Sequence, residues 1–118
     1  MKLGFIGLGN MASAMIGGML KKGLVNSLDI IGSDVSEAGR AKAAEQFGIE
    51  ACADNKKVAA GADVLFFAVK PIFLSEVLAE IADSVKENTV IVSIVAGKSI
   101  DFIKQGMGGK NRKIIRRN

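Results

Sequence analysis

Residues Leu3–Ala12 read LGFIGLGNMA, and the fold follows from them. Leu3–Ile6 is a short apolar run ended by Gly7, which predicts a buried strand. From Asn10 to Lys22, Met11, Met15, Ile16, Met19 and Leu20 recur at helical spacing, and Gly23 stops the helix. The methionine stripe is expected to face a sheet, where flexible thioethers fill irregular gaps. Between strand and helix, Gly7, Leu8, Gly9, Asn10, Met11 and Ala12 form a G-x-G-x-x-A turn. Gly7 permits the tight turn out of the strand, Gly9 lets backbone approach a pyrophosphate, and Ala12 keeps the helix close to the strand. The helix start then offers N–H groups to an anion. A tight strand-to-helix turn without a ligand is the plainer alternative.

Working outward, apolar runs and helical segments alternate. Strands are expected at Leu28–Ser33, Ile49–Cys52, Ala62–Val69, Thr89–Val95 and Lys113–Arg116. Helices are expected at Ser36–Phe47 with Gly48 as its stop, at Asn55–Ala60, at Ile72–Lys86 and from Ser99 to Gln105. ADVLFFAV at 62–69 lacks alternation, as in a strand buried on both faces, and Pro71 ends it. On Ile72–Lys86, Leu74, Val77, Leu78 and Ile81 share one face, and Glu76, Glu80 and Asp83 share the other. The whole predicts an α/β fold: one Rossmann-type, doubly wound parallel sheet over residues 1–118, with strand order 3-2-1-4-5-6.

Composition narrows the chemistry. The chain has 118 residues, 49% hydrophobic and 24% charged, as globular domains do. No apolar run approaches the ~20 residues of a membrane helix, and early glycines interrupt any signal-peptide core, so a cytoplasmic protein without a membrane partner is expected. There is no His, Trp or Tyr, which excludes a His-based triad and a His-ligated metal. No metal site is expected. Cys52 is the single cysteine, and an inert, buried thiol is expected of it. The net charge of +4 has one source: five of the 16 basic residues lie in residues 110–118, which hold no acid. The rest of the chain is close to neutral and has no basic stripe or aromatic stacking pairs, so no nucleic-acid partner is expected.

Candidate site residues cluster at the predicted strand ends, where open α/β sheets bind ligands. Asp34 stands 25 residues after Gly9, where an acid would hydrogen-bond the ribose diol of NAD and repel the 2′-phosphate of NADP. Ser33, Ser36 and Arg40 nearby would favour a phosphate instead, and plain helix capping is a third role for Asp34. Ala68, Val69, Lys70 and Pro71 follow one strand, with Lys70 placed for a phosphate or ribose oxygen. Ala96 and Gly97 follow the next.

Three blocks together, GFIGLGNMA at 4–12, VLFFAVKP at 64–71 and VSIVAGKSI at 92–100, resemble pyrroline-5-carboxylate reductase in sequence and spacing. The resemblance covers the whole chain but only the N-terminal half of that family's protein. It implies reduction of 1-pyrroline-5-carboxylate to L-proline with NADPH or NADH, the last step of proline biosynthesis. By the same resemblance, Leu8, Asn10 and Met11 contact the pyrophosphate, Asn55 contacts the cofactor ribose, Val69 and Lys70 line the dinucleotide, and Ala96 and Gly97 lie by the nicotinamide. Hydride delivery to a protonated cyclic imine needs mainly positioning, so the absence of His is no objection. Catalytic residues are not identifiable.

Two departures from the family matter. Asp34 stands where many NADPH-preferring members carry Ser, Thr or Asn, which leaves the cofactor open between NADP and NAD. Arg117 and Asn118 do not match the family's M-P-N-T-P loop, and its all-helical second domain is absent from these residues. That domain forms the dimer and most of the imine pocket, so this chain is expected to be the cofactor-binding half of a homo-oligomeric enzyme, inactive alone. Two other readings remain: the cofactor domain of another β-hydroxyacid-type dehydrogenase or imine reductase, and a non-catalytic nucleotide-sensing module.

Overall fold

The structure is a computed structural model that describes residues 1–117. Six strands form one parallel sheet in the order β3-β2-β1-β4-β5-β6. In chain order the elements are β1 (Leu3–Ile6), α1 (Asn10–Lys21), β2 (Ile30–Ser33), α2 (Glu37–Phe47), β3 (Glu50–Cys52), α3 (Asn55–Gly61), β4 (Val64–Phe67), α4 (Pro71–Ile81), β5 (Val90–Ser93), α5 (Ile100–Gly106) and β6 (Ile114–Arg116). Parallel strands need crossover connections, and the intervening helices supply them. The expected order and fold class are those observed.

Strand alternation sorts the core into two layers. On one face Leu3, Phe5, Ile30 and Phe66 pack with Ala12 and Ile16 of α1 and Ala43 of α2. On the other, Ile6, Leu65, Phe67 and Ile91 pack with Val58 of α3, Leu74 and Leu78 of α4 and Ile103 of α5. Phe5 and Phe66 are register partners, and their rings stack with centroids 4.4 Å apart. All four residues of β1 are buried, because β1 is central and covered on both faces.

Several element ends differ from the sequence expectation. β2 begins at Ile30, not Leu28. The Asn26 side chain accepts from Leu28 N–H and starts a short 3₁₀ turn over Ser27–Asp29, and pairing with β1 begins only where Leu3 meets Ile30. α4 runs from Pro71 to Ile81 and stops short of Lys86. Pro71 is its first residue, since a proline lacks only an N–H that has no helical partner there. The expected stripe faces the core at Met15, Ile16, Met19 and Leu20, with Ala12 and Ile16 fully buried, and departs from it only at Met11, which is 56% exposed. Cys52 is half-buried rather than sealed in the core, and its thiol points to Asp54 O at 3.6 Å. At the sheet edge, Ile114 packs on the core while Ile115 is 45% exposed. Arg112 ties this edge to the turn after α4 by donating to Lys86 O and Val85 O.

Two polar contacts brace the far end of the sheet. The buried Thr89 hydroxyl donates to Ala62 O at 2.8 Å. Thr89→Val keeps shape and β-branching but orphans that carbonyl, so urea unfolding should show a loss of about 1–2 kcal/mol. The Asp63 carboxylate accepts from the Lys86 ammonium and from Lys2 N–H, both at 2.7 Å. The Lys86 contact first, then the Lys2 N–H, hold the Asp63 carboxyl below its ordinary value. A depressed carboxyl stabilises the fold above the unfolded-state value of about 3.9 and loses that contribution as pH falls toward the folded-state value. Thermal unfolding should therefore show the native chain above Asp63→Asn near neutrality. The difference should shrink below about pH 4.

Candidate functional site

The site forms where the strand order reverses, at the carboxyl ends of β1, β2 and β4. Gly7 leaves β1 with φ +102°, and its N–H donates to Ser33 O of β2 at 2.8 Å. A Cβ on Gly7 would stand 2.6 Å from Ala68 O beyond β4. The turn is thus wedged between its two neighbouring strand ends. Leu8 then points inward and is 5% exposed, its side chain filling the space that a Cβ on Gly32 would need.

Gly9 is different. It caps α1 with ordinary backbone angles, and a Cβ there would have nothing within 4 Å. The first α1 N–H with an intrahelical partner is that of Ser13, bonded to Gly9 O. The N–H groups of Asn10, Met11 and Ala12 precede it and have no helical acceptor. Among the described residues no side chain caps this end, and its first turn carries no acid. The helix start therefore favours an anion.

The β2 end is more tightly organised. Asp34 Oδ2 accepts from Leu8 N–H at 2.8 Å, and Oδ1 accepts from Ser36 N–H at 2.9 Å. Capping of α2 belongs to Ser36, whose hydroxyl accepts from Gly39 N–H. Arg40 donates to Asp34 O and Val35 O. One residue earlier, the fully buried Ser33 hydroxyl donates to Asn55 Oδ1 at 2.6 Å. The Asn55 Nδ2 in turn donates to Glu80 Oε1 at 2.8 Å. Asp54 caps α3 and so presents Asn55 toward β2.

These elements enclose a cleft of about 570 Å³. Of the residues singled out in the sequence, Gly7, Gly9, Ser33, Asp34, Ser36, Asn55, Ala68, Val69 and Lys70 line it. Leu8 and Ala12 are buried beneath it, and Leu8 spends its N–H on Asp34 instead of a ligand. Asn10 and Met11 sit on the first turn of α1, and Pro71 opens α4. Ala96 and Gly97 lie beyond β5, exposed and outside the cleft lining.

Sequence reasoning missed the α4 wall. Phe73, Glu76, Val77 and Glu80 all line the cleft. Glu76 and Glu80 are exposed and lie opposite the buried Leu74, Val77, Leu78 and Ile81, as expected, and from that face they border the cleft. Their i, i+4 spacing was readable, but not what stood opposite. Among the described residues no group of three or more acidic, Cys or His side chains is arranged for a metal ion. No described helix is long and apolar enough to cross a membrane.

Residues 2–97 match the family described as NADP oxidoreductase, coenzyme F420-dependent. The chain belongs to that family. Within it, the chain is 41% identical over 115 residues to a pyrroline-5-carboxylate reductase of Escherichia coli strain K12, covering 98% of this chain and 42% of that protein. It is 38% identical over 96 residues to the enzyme of the same name from Methanosarcina acetivorans, covering 81% of this chain and 36% of that protein. A solved pyrroline-5-carboxylate reductase from Coxiella burnetii superposes with a TM-score of 0.91 at 29% identity, over 98% of this chain and 42% of that one. A Plasmodium falciparum pyrroline carboxylate reductase solved with NADP bound superposes at 0.82 and 26% identity, over 98% of this chain and 40% of that one. The chain thus spans about two fifths of the length of these relatives.

Proposed function

We propose that residues 1–118 are one NAD(P)-binding domain, the cofactor-holding part of a pyrroline-5-carboxylate reductase. The observation that carries this is the wedged Gly7 beside the open Gly9, at the start of a helix whose first N–H groups have no acceptor. A dinucleotide fits this arrangement: the open space over Gly9 and the α1 start suit a pyrophosphate, and Asp34 suits a ribose diol. The similarity to the reductases over 98% of the chain supports the choice of family activity.

In this reading Gly9, Asn10 and Met11 hold the pyrophosphate, while Ser33, Asp34 and Asn55 hold the adenosine ribose. Val69 and Lys70 border the dinucleotide, and Ala96 and Gly97 flank the nicotinamide end. When bound, reduced nicotinamide supplies the hydride for a C=N bond. This chain's residues orient the group and exclude water from one side of it. The small imine substrate, assembly into a homo-oligomer and a cytoplasmic setting belong to the whole enzyme in this reading, which involves no nucleic-acid or membrane partner.

Nicotinamide fluorescence tests the binding. Saturable binding of NADH or NADPH to the 118-residue chain is expected, and flat titrations with both would overturn the proposal. Little proline formation is expected from this chain alone. Robust turnover would refute the division of labour.

A further inference from the structure

We propose that Glu80 of α4 is a positioning residue for the nucleotide site: it fixes the orientation of the Asn55 amide and, through that amide, the direction of the Ser33 hydroxyl. This rests on the dinucleotide reading above and adds to it a residue that acts through Asn55 rather than on the ligand. Glu80 belongs neither to the glycine turn nor to a strand end, but to the helix that walls the cleft.

The orientation follows from donor and acceptor counting. A carboxylate accepts and cannot donate, a hydroxyl does either, and an amide has one end of each kind. Asn55 Nδ2 donates to Glu80 Oε1 at 2.8 Å, and Asn55 Oδ1 accepts from the Ser33 hydroxyl at 2.6 Å. The reversed amide would set Oδ1 against Oε1, two acceptors with no proton between them. Ser33 could serve either orientation by turning its hydroxyl, so the carboxylate decides. Once Glu80 takes Nδ2, Oδ1 must face Ser33, and Ser33 must donate. One Nδ2 hydrogen and one Oδ1 lone pair are then left on Asn55, which lines the cleft.

The core fixes both ends of this hydrogen-bonded chain. Ser33 is fully buried, ends β2 between Ile6 of β1 and Cys52 of β3, and its carbonyl accepts from Gly7 N–H. At the other end, Leu74, Val77, Leu78 and Ile81 seat α4 in the core around Glu80. The Glu80 side chain is itself exposed, so it loses little hydration in accepting the bond. Among the described residues it forms no ion pair, and the one hydrogen bond of its carboxylate is to Asn55. An amide held from both sides by anchored residues has less freedom to lose when a ligand arrives, which raises affinity without a new contact.

The test uses the 118-residue chain, with NADH followed by fluorescence and ADP, 2′-deoxy-ADP and 3′-deoxy-ADP by calorimetry. Glu80→Ala is expected to weaken NADH and ADP about three- to tenfold, the size of one lost hydrogen bond. It is also expected to narrow the preference for ADP over the two deoxy forms. Glu80→Gln keeps an acceptor oxygen and is expected to stay within about twofold of the unaltered chain. In an Asn55→Ala background, Glu80→Ala should cause no further loss. In isotope-labelled chain the Asn55 side-chain amide signals should move in Glu80→Ala and return in Glu80→Gln, a pattern that helix packing alone would not produce. Unchanged or tighter binding by Glu80→Ala, equal losses in the Ala and Gln variants, or additive losses with Asn55→Ala would each overturn the positioning role and leave the dinucleotide site standing. Absence of NADH and ADP binding by the unaltered chain would overturn the dinucleotide reading and this proposal with it. The Glu80 variants and the amide signals decide the matter if Asn55→Ala does not fold.

Discussion

Gly7→Ala is expected to destabilise the fold by about 2–4 kcal/mol. Two costs combine. A φ of +102° is strained for any residue with a Cβ, at about 1–3 kcal/mol. The new Cβ would also stand 2.6 Å from Ala68 O and 2.7 Å from the Ala68 carbonyl carbon, backbone atoms that cannot rotate away. Relief requires β1 and β4 to separate at their carboxyl ends, where Ala68 N–H bonds Ile6 O at 2.8 Å. Small domains are stable by only about 5–15 kcal/mol, so the loss is readable in urea and lowers the melting temperature by roughly 10 °C. A loss below about 1 kcal/mol would mean that the strand ends yield more readily than their packing indicates.

Gly9→Asp should do the reverse, leaving the fold intact while removing dinucleotide binding. The position has ordinary angles and open space. Asp is also a favoured helix cap, and α1 has no capping side chain among the described residues, so unfolding should shift by less than about 1 kcal/mol, toward greater stability. Its carboxylate would take the very N–H groups proposed for the pyrophosphate and add a like charge there. NADH affinity should fall at least a hundredfold, about 2.7 kcal/mol. Binding within about threefold of the native chain would place the pyrophosphate elsewhere. Together the two glycine variants separate what the turn needs in order to fold from what it needs in order to bind.

The contrast between these glycines shows how far the sequence reaches. G-x-G-x-x-A assigns Gly7 to geometry and Gly9 to access by analogy with a pattern. Only the neighbouring strands reveal that Gly7 is pressed against Ala68 while Gly9 faces empty space. Asp34 is similar. Its spacing from Gly9 marks it as a ribose reader or a cap, yet its carboxylate bonds Leu8 N–H, 26 residues away, and Ser36 performs the capping. The α4 wall was least legible. A 3.6-residue period tells which side chains share a stripe but not what lies across from its border, and Glu80 finds Asn55 there from 25 residues away.

By itself, then, the sequence determined the strand order, the helices between the strands and the sheet end at which the cleft opens. These depend on periodicity, on turn chemistry and on the handedness of parallel crossovers, all of which act over short stretches of chain. The tertiary structure alone decided which N–H groups remain unspent, where Asp34 is anchored and which carboxylates face the cleft. Those are contacts between residues distant in sequence, and they form only once packing has brought the strand ends together.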